Sequence, residues 1–183
     1  MKLEFSTGRL RLREWKNSDA VPFGRLNADP DVMEFFPSTL SRIESDDMIG
    51  RIRTHFEKNG FGLWAVEIPG ECDFIGFVGL QIPRFDAHFQ PCVEIGWRLD
   101  KQHWGKGYAT EAAKEVLRVG FNELSLNEIV SMTAVINLRS QRVMQKIGMN
   151  YSAFDDFDHP KVPAESELNR HVLYRLSKTQ FQT

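Results

Sequence analysis

Cysteine is scarce in this sequence: Cys72 and Cys92 are the two in 183 residues. Two cysteines make no disulfide framework, and no C-x-x-C spacing points to a metal site. Both are expected as reduced, part-buried thiols of a cytosolic protein. Long apolar runs are missing too. No window approaches 18 uncharged apolar residues, so no membrane-spanning helix is expected. Met1 to Arg13 alternates charged and apolar residues and lacks the apolar core of a signal peptide. The expected location is the cytoplasm. Charge of one sign is also absent, since 23 Lys and Arg against 25 Asp and Glu leave a net −2. A nucleic-acid partner is therefore not expected. There is no repeat, no low-complexity tract and no Gly/Ser linker. What is abundant is phenylalanine, 14 residues beside four tryptophans, which implies an aromatic core. At about 150 residues per domain, the chain reads as one domain over residues 1–183.

The hydrophobic pattern places the elements. Leu10 and Leu12 alternate with Arg9, Arg11 and Arg13, as in a half-buried strand. Ser18-Asp19 reads as the N-cap of a helix to about Ala28, broken by Asp29-Pro30. Ser41-Arg42-Ile43-Glu44 is a capping box for a helix carrying Met48, Ile49, Ile52 and Phe56, stopped at Asn59-Gly60. Strands over 61–68 and 74–82 flank a turn at Pro69 to Asp73. A polar loop with Arg84, Asp86 and His88 follows. Val93, Ile95, Trp97 and Leu99 alternate with Glu94, Gly96 and Arg98 in the next strand. A helix over 108–121, a strand over 128–136, a helix after Asn137 ended by Gly148, and strands over 149–157 and 171–176 complete the chain. A meander followed by alternation implies a mixed α/β sheet with helices on both faces.

The strongest local signal is the loop from Leu99 to Glu111. A strand enters it, Gly105 and Gly107 remove side chains that would block close approach, and a helix leaves it. A helix start has about four unpaired amides and a partial positive charge. Such a nest suits a pyrophosphate. An ordinary strand–helix turn would use the same glycines. There is no G-x-x-x-x-G-K-[ST], and the position three after Gly107 is Thr110, so neither a P-loop nor a G-x-G-x-x-G fingerprint is present.

The segment Trp104-Gly105-Lys106-Gly107-Tyr108-Ala109 resembles the Q/R-x-x-G-x-G/A pyrophosphate motif of the GCN5-related N-acetyltransferases (GNAT). Thr7 to Arg13 is similar to the opening strand of the family's ribosomal-protein acetyltransferase (RimJ/RimL-like) branch. Glu94 to Trp97, Trp104 to Ala112, Asn137 to Ser140 and Lys146 to Met149 resemble its later blocks. One position departs from the motif, since Trp104 stands where Gln or Arg is usual. The resemblance implies a three-layer GNAT fold whose mostly antiparallel sheet is splayed at its centre. It implies acetyl-CoA as cosubstrate, no metal, and transfer of acetyl to an amine. The branch implies a protein N-terminal α-amine as acceptor, with small amines such as polyamines or antibiotics as the alternative.

It also implies roles for residues. Gly105, Lys106, Gly107, Tyr108, Ala109 and Thr110 correspond to the pyrophosphate site. Trp97, Arg98 and Leu99 match the strand that pairs with pantetheine, and a strand amide there can stabilise the thioester oxyanion. Asn137 matches a pantetheine-binding residue, although it also reads as a plain N-cap. Ser140 stands where relatives place a hydroxyl near the sulfur. Glu94, on the face opposite Val93, Ile95 and Trp97, matches the catalytic glutamate of histone-acetylating relatives. Its ordinary alternatives are a solvated carboxylate or an ion-pair partner of Arg98. At pH 7, freeing a lysine amine of pKa about 10.4 costs about 4.6 kcal/mol, and an α-amine near 7.8 about 1.1. A base lowers that barrier. Should Glu94 not serve, Asp86 and Asp155 are next in line. His88, His159 and His171 lie in segments near the acceptor mouth and share no metal-ligand spacing. The acidic residues of loops 84–91 and 155–168 either attract a cationic amine or are solvated charge. A homodimer is compatible with an exposed edge strand. A non-catalytic acyl-CoA-binding module and a plain nucleotide-binding protein are the competing classes.

Overall fold

The computed structural model describes residues 4–181, so Met1 to Leu3 of the opening segment lie outside it. Strands β1 (Phe5–Ser6) and β2 (Arg11–Arg13) precede helices α1 (Ala20–Ala28) and α2 (Arg42–Asn59). Then come β3 (Leu63–Ile68), β4 (Cys72–Gln81), β5 (Glu94–Leu99), α3 (Tyr108–Asn122) and β6 (Glu128–Ala134). The chain continues through α4 (Leu138–Lys146), β7 (Asn150–Tyr151), β8 (Phe157–Asp158), β9 (Arg170–Ser177) and α5 (Lys178–Phe181). The strands form one sheet in the order β1-β2-β3-β4-β5-β6-β9-β7, with β8 on β9. Every pairing is antiparallel except β5–β6.

The period-two alternation sorts side chains to the two faces. On one face Val66, Val78, Leu80, Ile95 and Leu99 meet Ala112, Ala113, Val116 and Leu117 of α3 and Met144 of α4. On the other, Leu63, Ala65 and Phe77 meet Phe23 and Leu26 of α1 and Ile49 and Ile52 of α2. Fully burying an apolar side chain of this size contributes about 1.5–3 kcal/mol. This gives the three layers expected from the sequence. No helix of the described residues is long and apolar enough to cross a membrane.

The capping box forms as read, with Ser41 N–H donating to Glu44 Oε2 at 2.7 Å and Glu44 N–H donating to Ser41 Oγ at 3.3 Å. Gly60, at φ 75°, ends α2. Asp19 precedes α1 as expected but does not cap it. Its carboxylate accepts from buried Arg13 at 2.8 and 2.9 Å, and Arg13 also donates to Glu67 at 2.5 Å. The pair locks β2 to β3 and to the start of α1. The strand expected over 149–157 is broken. Ser152 Oγ accepts from Phe154 N–H and starts a single 3-10 turn, which throws Phe154 into solvent. Only β7 and β8 remain of it. The loop read as polar also carries Phe85 and Phe89, which pack on Phe157.

Candidate active site

The parallel β5–β6 junction opens almost as soon as it forms. Val130 N–H donates to Val93 O at 2.9 Å, and Glu94 opposite Val130 is the one register pair. Beyond it the Ser131 hydroxyl, at 2.9 Å from Ile95 O, takes the place of a backbone donor. Past Ile95 the strands diverge. Backbone groups alternate sides along a strand, so Ile95, Trp97 and Leu99 share the β6 side. The Leu99 carbonyl is taken by Trp104 Nε1 at 2.8 Å. The Trp97 N–H and C=O therefore face the gap with no strand partner. Arg98 lies opposite Phe77 and turns its backbone toward β4. Of the three residues matched to the pantetheine strand, Trp97 presents its backbone most freely and Arg98 does not present it at all.

The glycine loop meets this gap. Gly105 at φ 73° and Gly107 at φ 83° adopt the left-handed conformation that side chains disfavour. Bonding within α3 begins with Glu111 N–H to Gly107 O at 3.0 Å, and no side chain caps the helix. The amides of Tyr108, Ala109 and Thr110 have no carbonyl one turn earlier and point out of the helix end. The N-terminal segment braces the loop. Arg9 donates to Lys106 O at 3.1 Å, pairs with Glu111 and covers the Tyr108 ring at 4.6 Å. The Lys106 side chain does not line the cleft, whereas Gly105, Gly107, Tyr108, Ala109 and Thr110 do. Trp104 ties the loop to the end of β5, and its ring carries the Arg139 guanidinium at 4.4 Å.

One cleft of about 980 Å³ joins the nest, the splay and the inner face of α2. Asn137 lies on its wall and caps α4, its Oδ1 accepting from Ser140 N–H at 3.1 Å. Both amide hydrogens of Asn137 are engaged, by Thr133 Oγ1 at 2.9 Å and Ser140 Oγ at 3.2 Å. Ser140 Oγ thus accepts from Asn137 and keeps its own hydroxyl proton to donate into the cleft.

Glu94 is the sole carboxylate lining the cleft among the described residues. It is part-buried in the cleft wall rather than free in solvent, and it is not paired with Arg98. Gln81, directly opposite on β4, donates to its Oε2 at 2.9 Å. Burial pushes the Glu94 carboxyl up to about 7, and the Gln81 hydrogen bond opposes that rise only partly. Gln81 was not read as a site residue, because the pairing register that sets it against Glu94 has no local signal.

His55, also unread, donates from Nδ1 to Phe61 O at 2.8 Å and accepts from Ile82 N–H at Nε2, so it is held neutral. His159 and His171 line the cleft with ring centroids 4.8 Å apart. Burial, followed by the neighbouring His171, pulls His159 down to about 4, and burial lowers His171. His88 lies outside the cleft, 3.8 Å from Asp155. Asp155 is held by Arg175 at 3.0 Å, Asp158 pairs with Arg170, and neither they nor Asp86 line the cleft. Asp155 and Asp158 are thus engaged in ion pairs, and the two reserve bases, Asp86 and Asp155, do not line the cleft.

The Arg98 side chain lies with Glu94 on the α1–α2 face. It is 8% exposed, donates to Asn27 Oδ1 at 2.6 Å and stacks on Phe36 at 4.1 Å. Its Nε has no partner among the described residues, and burial draws the guanidinium down to about 10.

Comparison with known proteins identifies the family. The acetyltransferase (GNAT) domain family matches residues 9–150. YkkB of Bacillus subtilis, itself uncharacterized, is 34% identical over 152 residues, covering 82% of this chain and 87% of its own. The FsC-acetyl coenzyme A-N(2)-transacetylase of Aspergillus fumigatus is 30% identical over 162 residues, covering 82% of this chain and 67% of its own. A solved GNAT-family acetyltransferase from Bacillus anthracis superposes with a TM-score of 0.79 at 25% identity, over 97% of this chain and 99% of its own. The chain belongs to the GCN5-related N-acetyltransferase family and is an acetyltransferase.

Proposed function

We propose that this acetyltransferase moves acetyl from acetyl-CoA to the amine of an acceptor by direct attack. The observation that carries the reading is the meeting, in one cleft, of the free α3 amides, the unshared Trp97 backbone and Glu94. The donor is also supported by the Aspergillus relative, which is named for acetyl coenzyme A. The amides of Tyr108, Ala109 and Thr110 hold the pyrophosphate, each bond to a charged oxygen contributing about 1.5–3 kcal/mol. The Trp97 N–H and C=O pair with the pantetheine amides as a missing strand would, and a strand amide bonds the thioester oxygen as negative charge builds there. Glu94 takes the proton from the attacking amine. The C–N bond forms, the C–S bond breaks, the Ser140 hydroxyl donates a hydrogen bond to the departing thiolate, and the proton that Glu94 took is released to solvent as solvent protonates the sulfur. Asn137 positions Ser140 rather than touching the cofactor with its amide.

For the acceptor we retain the protein N-terminal α-amine first, on the Thr7 to Arg13 block. A base near 7 is also matched to an α-amine near 7.8. One carboxylate in the cleft is poor provision for a polyamine with several cationic nitrogens.

Acetyl-CoA at about 100 times its Kd is expected to stabilise the fold by about 2.7 kcal/mol, with ATP giving no comparable melting shift. Equal shifts would remove the pantetheine argument. Free CoA is expected to appear once peptides with unblocked N-termini are added. A shift with no CoA release from any amine would make the protein a binding module. Ser140→Ala is expected to lower kcat about 10–100-fold, the loss of one hydrogen bond to a developing thiolate. An unchanged kcat would take Ser140 out of the reaction.

A further inference from the structure

Arg98 is a buried cation without an anion. Among the described residues it has no carboxylate partner, its one hydrogen bond goes to the neutral amide of Asn27, and its Nε is unsatisfied. Asn27 is itself held by Ser45 of α2, at 3.1 Å. Phe36 and Phe77 flank the guanidinium, so it is fixed and ready for a planar anion. A buried charge left unpaired is costly to any fold, which asks what completes it.

Its place in the cleft answers that. Glu94, Gly96 and Arg98 project from the same face of β5, and a Cβ built on Gly96 would meet nothing within 4 Å. An open floor therefore separates the base from the guanidinium, with about 13 Å between the Cα atoms of Glu94 and Arg98 at about 3.3 Å per residue. Exposed Arg51 and Arg84 stand at the mouth on the same side. Arg51 also borders a shallow dip with Asp46 and Asp47, so the inner charge, Arg98, is the specific reader.

The geometry points to an acceptor that carries a carboxylate as well as its amine, the amine at Glu94 and the carboxylate at Arg98. The inference rests on the transferase reading and narrows its acceptor. Two sources supply this chemistry: a peptide whose N-terminus is followed closely by Asp or Glu, and a free amino carboxylate.

The test uses matched pairs with the purified protein. One arm compares peptides differing by Asp against Asn, or Glu against Gln, next to the free N-terminus. The other compares amino carboxylates with their amides. The acid member is expected to have a kcat/KM about 10–100-fold higher, expressed in KM, as loss of a charge-assisted hydrogen bond implies. The arm with the larger ratio identifies the source. Arg98→Gln is expected to bring the ratio toward one, and Arg98→Lys to keep part of it. Equal use of both members by the natural protein would overturn the proposal without any variant, and so would an undiminished ratio in Arg98→Gln. The same pairs are titrated onto the CoA-bound protein, where no transfer occurs. A binding preference without turnover would keep the carboxylate site and remove the transferase reading. Turnover without any preference would do the reverse.

Discussion

Replacing Glu94 by glutamine is expected to slow the enzyme by about 10²–10⁴-fold in kcat/KM while making the fold more stable. The two effects have one cause. The cleft buries the carboxyl and raises it to about 7, which makes it a usable base near neutral pH and a strained anion above it. A carboxyl whose folded value lies above its unfolded value of 4.5 stabilises while protonated. Its penalty grows as pH rises from about 4.5 and is complete above about 7, reaching about 3 kcal/mol at 1.36 kcal/mol per unit. The variant should therefore melt several degrees higher at pH 8, at about 2–4 °C per kcal/mol, and gain almost nothing at pH 4.

The activity profile supplies the second check. The natural protein should gain activity through pH 7 as Glu94 ionises, and the variant should lack that limb. Burial lowers His55, His103 and His171 and pulls His159 down to about 4, so these four cleft histidines all shift away from that limb. The defect should shrink toward pH 9.5, where more of the amine is already neutral. A loss under threefold at pH 7 with an unaltered profile would make Glu94 structural, and no other carboxylate lining the cleft is available to replace it among the described residues.

Gly107→Val is expected to abolish the acetyl-CoA melting shift while leaving a folded protein. A Cβ at Gly107 would find Arg9 Nη2 at 3.5 Å, an ordinary contact, so the lesion is not a clash. It is the φ of 83°, which a β-branched residue resists at a cost of about 1–3 kcal/mol. The loop relieves that strain by turning, and the amides of Tyr108, Ala109 and Thr110 lose their common direction. Losing two such bonds at about 1.5–3 kcal/mol each is about a 10²–10⁴-fold loss of affinity. Gly105 to Gly107 are exposed beside Arg9, and it is Trp104 and Tyr108 on either side that pack into the cores, so the domain should still unfold cooperatively. Normal acetyl-CoA binding by this variant would show that the nest does not hold the cofactor.

Local chemistry along the chain already specified the capping box at Ser41 to Glu44, the glycine turn into α3 and the Asn137 cap of α4. Each is settled by neighbours within four residues, through hydrogen bonds and backbone dihedrals that nothing distant overrides. The alternation from Val93 to Leu99 likewise placed Glu94 and Arg98 on one face of a strand. Their partners were not legible. The β4–β5 register, set by packing of the whole sheet, put Gln81 rather than Arg98 against Glu94. Burial of Arg98 against α1 brought Asn27, 71 residues away in sequence, to its guanidinium. The strand expected over 149–157 failed because the six steps from Tyr151 to Phe157 run against only three on β9, from Tyr174 to His171, and the surplus is taken up in a Ser152-capped turn. The sequence alone marked which residues are candidates for the chemistry. Only the tertiary structure decided which of them are desolvated, and desolvation is what turns a carboxylate into a base near pH 7 and an arginine into an unpaired charge.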